Sequence, residues 1–75
     1  MNISSIVIQT APQHLKEVLE NLRVSDICET HFHDDQGKIV VTIEGVDADE
    51  EYQKLKAIQN MQHILYAALA YSCNE

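Results

Sequence analysis

The sequence predicts an α+β fold, a four-stranded antiparallel sheet with two helices on one face, and three observations carry that prediction. The run Lys38-Ile39-Val40-Val41-Thr42-Ile43-Glu44 is β-branched at five of its seven positions and alternates with a period of two. Two stretches, Leu15 to Leu22 and Tyr52 to Met61, carry apolar residues at helical spacing. Strand-like runs stand at both ends of the chain, with a weaker one in the middle. The resulting order is strand, helix, strand, strand, helix, strand. Two right-handed split βαβ units of this kind close into the ferredoxin-like βαββαβ sandwich.

Each element follows from its residues. In Ile3 to Thr10, Ser4, Ile6 and Ile8 share one face, while Ser5, Val7 and Gln9 share the other. Pro12 ends the strand and suits the first turn of a helix, where its missing N–H costs nothing. Leu15, Val18, Leu19 and Leu22 then form a stripe at i, i+3, i+4 and i+7. Ser25 to Asp34 is polar and irregular, as expected of an edge strand; Ile27, Glu29, His31 and His33 would share one face, with Cys28, Thr30 and Phe32 on the other. Asp34-Asp35-Gln36-Gly37 is a hairpin turn with glycine supplying positive φ. In the strand that follows, Ile39, Val41 and Ile43 face the core, and Lys38, Val40, Thr42 and Glu44 face away. Asp47 or Asp49 can cap the second helix, whose stripe is Ala48, Tyr52, Leu55, Ile58 and Met61. Ile64 to Cys73 is apolar in both alternating sets, which predicts that both of its faces are at least partly covered.

Seventy-five residues make a single domain spanning 1–75. A chain of this size buries only about 60 % of its unfolded surface, leaving little room for an enclosed cavity. Twelve acidic residues against five basic ones give a formal charge of −7. That balance argues against nucleic acid and anionic membrane as partners. The apolar run Ile64 to Tyr71 is far shorter than the ~18 residues of a membrane span. Met1 to Ser5 carries no basic region or signal-peptide core, so a cytoplasmic protein is expected. Cys28 and Cys73 fit no Cys-x-x-Cys pattern and are expected as free thiols.

No catalytic apparatus emerges. His31 and His33 could offer two imidazoles, but a closed zinc site needs four ligands, and solvated edge histidines are the expectation. Ser4 and Ser5 lack a nucleophile elbow. The acids from Asp47 to Glu51 read as a helix start, and two glycines cannot build a phosphate loop. No cofactor, no metal and no enzymatic activity are expected. What stands out is the face opposite the helices: Ser5, Val7, Gln9, Val40, Thr42, Tyr66, Ala68, Ala70 and Ser72, small and apolar, with Lys38 and Glu44 as its charges. An uncovered face of this kind marks a binding surface.

Three blocks also resemble the NapD family, cytoplasmic chaperones for the catalytic subunit of periplasmic nitrate reductase. They are Ile3-Ser4-Ser5-Ile6-Val7-Ile8-Gln9, Gly37-Lys38-Ile39-Val40-Val41-Thr42-Ile43-Glu44 and Ile64-Leu65-Tyr66-Ala67-Ala68-Leu69-Ala70-Tyr71. The likeness runs almost the full length. Departures occur at Asp26 and at Gln62-His63, where the family usually has glycine, and at Ser72, where histidine is common. The resemblance implies a non-enzymatic chaperone that binds the twin-arginine signal peptide of the reductase precursor and delays export until the molybdenum cofactor is inserted. It implies that the peptide lies as a helix across the open sheet face, which by the alternation above places it on Ser5, Val7, Gln9, Val40, Thr42, Glu44, Tyr66, Ala68 and Ala70, with Glu44 taken as the nearest arginine partner. A monomer with no nucleic-acid partner and no membrane span is expected. Two other classes share the architecture. A metal carrier needs a Cys-x-x-Cys loop where this chain has Gln9-Thr10-Ala11-Pro12, and a metabolite-binding regulatory module works as a dimer.

Overall fold

A computed structural model describes the backbone of residues 2–74 and the side chains of residues 2–70. The strands are β1 (Asn2–Thr10), β2 (Glu29–His33), β3 (Lys38–Gly45) and β4 (Ile64–Asn74), in the sheet order β2-β3-β1-β4 with every pairing antiparallel. The helices are α1 (Leu15–Ser25), entered through a 3-10 turn at Pro12–His14, and α2 (Ala48–Gln59). This is the ferredoxin-like arrangement that the sequence predicts.

Strand alternation decides where the core lies. Ile6 and Ile8 of β1, Ile39, Val41 and Ile43 of β3, and Ala67 of β4 are buried together with Val18 and Leu22 of α1 and Ile58 of α2. One cluster takes in both helices, so both lie on the same side of the sheet. Of the α2 stripe, Ile58 is fully buried, Leu55 and Met61 are half-buried, and Ala48 and Tyr52 are exposed. The start of the second helix thus buries less apolar surface than its end. An apolar hollow of ≈ 260 Å³ opens there, between Ile6, Ile43, Leu55 and Leu69.

Polar groups tie these layers at their ends. Asp47 caps α2 by accepting from the Glu50 amide at 2.9 Å. The buried Ser4 hydroxyl donates to Glu51 Oε1 at 2.6 Å, joining β1 to α2. Gln59 Nε2 donates to the Ala67 carbonyl at 3.0 Å, joining the other end of α2 to β4. In the β2–β3 turn, Asp34 Oδ1 accepts from the amides of Gln36 at 2.9 Å and Lys38 at 3.1 Å. Gly37 sits at φ +90 there, and a Cβ on it would stand 2.2 Å from the Thr10 carbonyl oxygen.

β4 departs from the sequence reading. It is an edge strand of which Ala67 is buried, while Leu65, Tyr66, Ala68, Leu69 and Ala70 are exposed. Its apolar residues do not reflect cover on both faces. Two register shifts against β1, between Ser5 and Ile6 and between Gln9 and Thr10, leave Ala70 and Leu65 without a partner.

Two non-glycine residues take left-handed backbone: Asp26 at φ 55, where α1 ends, and His63 at φ 69, before β4. Each carries a side chain in a backbone region that favours glycine, at a cost of about 1 kcal/mol.

Two outcomes follow from these turns. Gly37→Ala should destabilise the fold by about 1–3 kcal/mol in denaturant unfolding, because both the φ and the Thr10 carbonyl oppose a Cβ. Asp26→Gly should raise stability by up to about 1 kcal/mol, because glycine enters left-handed backbone without strain.

Candidate functional site: the open face of the sheet

Residues directly opposite in antiparallel strands point to the same side of a sheet. The register therefore orders the face away from the helices into rows. One row is Phe32, Val40, Val7 and Ala68, running across all four strands. A second row is Glu29, Thr42 and Ser5, and a third, beyond it, pairs Glu44 with Ile3. On the other side of the apolar row lie Lys38, Gln9 and Tyr66.

The apolar row is uncovered. Phe32 is 51 % exposed and Tyr66 54 %, Ala68 is exposed, and Val7 and Val40 are partly exposed between their neighbours. Phe32 owes its place to a bulge. The register shift between Thr30 and Phe32 leaves His31 without a backbone partner and turns the phenylalanine onto the row of Val40. His31 stays on the same side, its Nε2 lying 2.8 Å from Thr42 Oγ1. His33 pairs with Ile39 on the helix side, so the two histidines do not share a face as the sequence spacing suggests. Strict alternation placed Phe32 away from Glu29 and His31. Its neighbours in sequence gave no signal of the bulge that brings the three together.

One end of the face is acidic. Asp26, Glu29 and Glu44 line a shallow hollow of ≈ 230 Å³ with Ile27, Cys28, Thr42 and Lys54. Lys54 donates to the Glu44 backbone carbonyl at 2.5 Å and lies 3.7 Å from Glu50 Oε1. Among the described residues, neither the Glu29 nor the Glu44 carboxylate forms an ion pair. Burial pushes the Cys28 thiol up, which disfavours the thiolate.

Of the residues singled out in the sequence, Ser5, Val7, Val40, Thr42, Glu44, Tyr66 and Ala68 lie on this face together. Gln9 lies there too, but its amide is engaged: Nε2 donates to the Gln36 carbonyl at 2.9 Å and the Thr10 carbonyl at 3.0 Å, bracing the hairpin turn. Ala70 is exposed at the bulge of β4. The side chain of Ser72 lies outside the described residues; its backbone pairs with Ser4, and Tyr71 takes the position opposite Ser5. The register adds Ile3, Glu29 and Phe32 to the face.

The family model of the NapD protein matches residues 1–75. The chain belongs to the NapD family. NapD proteins are chaperones and not enzymes. The solution structure of the E. coli Tat proofreading chaperone protein NapD shares this fold with a TM-score of 0.85. The two chains are 23 % identical, over 97 % of this one and 78 % of the other. No curated protein sequence matches the chain. No helix among the described residues is long and apolar enough to cross a membrane.

Proposed function

We propose that this NapD-family chain acts in the cytoplasm as a monomeric chaperone for the catalytic subunit of periplasmic nitrate reductase. It captures the twin-arginine signal peptide of the precursor and delays export until the molybdenum cofactor is inserted. Beside family membership, one observation supports this reading: an uncovered apolar row lies next to carboxylates that form no ion pair among the described residues. A twin-arginine peptide carries the complement, two guanidinium groups and an apolar stretch.

The apolar segment of the peptide, in helical form, lies over Phe32, Val40, Val7 and Ala68, where the small alanine lets a helix approach. Ser5, Thr42, Tyr66 and Ala70 border that seat. The arginines lie toward Glu29 and Glu44. The row of Glu29 stands two residues of strand from the apolar row, about 7 Å, which a helical guest spans in about five residues. The two halves of the face contribute differently. Exposed ion pairs are worth about 0–1 kcal/mol each, so the acids steer and orient the guest, while burial of Phe32, Val40 and Val7 retains it.

Val40→Asp should weaken binding of a synthetic twin-arginine peptide by roughly 10- to 100-fold in calorimetry, since a carboxylate would be buried without a partner. A correctly folded variant with unchanged affinity would remove this face as the seat. Glu29→Gln with Glu44→Gln should slow association and flatten its dependence on salt, leaving dissociation nearly unchanged. An association rate insensitive to both changes would exclude steering by that corner.

A further inference from the structure

On another part of the molecule the fold brings together three residues that are far apart in the sequence. His14 closes the 3-10 turn before α1, Glu17 lies in the first turn of α1, and His63 lies in the turn between α2 and β4. His63 Nε2 stands 2.9 Å from Glu17 Oε2, and His14 Nδ1 stands 3.5 Å from the same oxygen. One ligand atom from each residue falls within 4.8 Å of the others. The two imidazoles are stacked, with ring centroids 3.7 Å apart and planes 10° from parallel.

We propose that His14, Glu17 and His63 form a binding site for a divalent transition-metal ion, with zinc as its probe. Two imidazoles and a carboxylate are the donor set that zinc takes in three-ligand sites, with water completing the tetrahedron. Bonds of about 2.0–2.1 Å place neighbouring ligand atoms about 3.3 Å apart in a tetrahedron, and the two contacts to Glu17 bracket that separation. The stacked rings have nearly parallel planes, so their in-plane lone pairs do not yet converge. Rotation of one imidazole about χ2, a soft torsion, opens the stack and closes the shell. All three side chains are reachable from solvent, at 37, 55 and 27 % exposure for His14, Glu17 and His63.

A second observation points the same way. His63 holds left-handed backbone at φ 69, a conformation that glycine enters freely and a branched ring does not. The imidazole is carried there against a local cost. Ion binding would clamp the start of α1 to the turn before β4, a cross-link of the kind from which a domain of this size gains stability. The site is separate from the open face, and its failure would leave the chaperone reading untouched.

The test is calorimetric titration of the full chain with zinc sulfate in a non-coordinating buffer, paired with thermal unfolding. One equivalent of zinc should bind saturably and raise Tm by mass action. His63→Gly suits the backbone conformation and so keeps the fold; it should weaken binding by at least the roughly tenfold that even an outer-shell change costs. His14→Gln should do the same, whereas His31→Ala and His33→Ala should leave the zinc affinity within twofold. Absence of saturable binding, a half-equivalent shared between two chains, or loss of binding on removing the edge histidines alone would each overturn the site.

Discussion

Two helices of 11 and 12 residues are enough to cover one side of a four-stranded sheet and no more. That shortage of cover is the constraint on which the rest of this structure depends. Among the described residues, every fully buried apolar side chain lies between the helices and the sheet, and β1 and β3 supply most of them. A domain of this length cannot build a third layer, so the opposite face stays open. Its central strands nevertheless place Val7 and Val40 there, outside the core. These residues are only partly buried by their neighbours, which leaves the face available for contact with another chain.

Bulges convert that open surface into a graded one. In β2 the unpaired residue is His31, and its insertion turns Phe32 onto the apolar row while keeping Glu29 on the same side. In β4 the unpaired residues are Leu65 and Ala70, and between them Tyr66 and Ala68 keep register with Gln9 and Val7. The result is a face that runs from carboxylates, through hydroxyls and apolar groups, to Lys38. Because both bulged strands are edges, the same irregularities also disturb the flat hydrogen-bonding rim along which sheets aggregate.

The turns carry a different kind of information. Asp26 and His63 occupy left-handed backbone where glycine would fit without strain, and each side chain has a neighbourhood that a glycine could not serve. Asp26 joins the acidic corner of the open face, and His63 meets Glu17 and stacks on His14. Local strain and local chemistry coincide at both places, while the glycine at position 37 remains where backbone contact leaves no room for a side chain.

The order of elements, the buried faces of β1 and β3 and the stripe of α1 were all legible in the amino-acid sequence, and the cap of α2 was narrowed to Asp47 or Asp49, of which the structure uses Asp47. Those features arise from short-range periodicity, which residues i, i+2, i+3 and i+4 settle among themselves. The sequence also marked Val7, Val40, Thr42, Glu44 and Ala68 as one surface, because unbroken alternation in β1 and β3 holds in the folded chain. It misplaced Phe32, misjudged the cover over β4, and gave no sign that His14 and His63 meet. A bulge is a mismatch between two strands, edge exposure depends on which strands become neighbours, and a contact across 49 positions requires the sheet to close first. Such properties belong to pairs of elements and are decided only when tertiary packing brings those elements together.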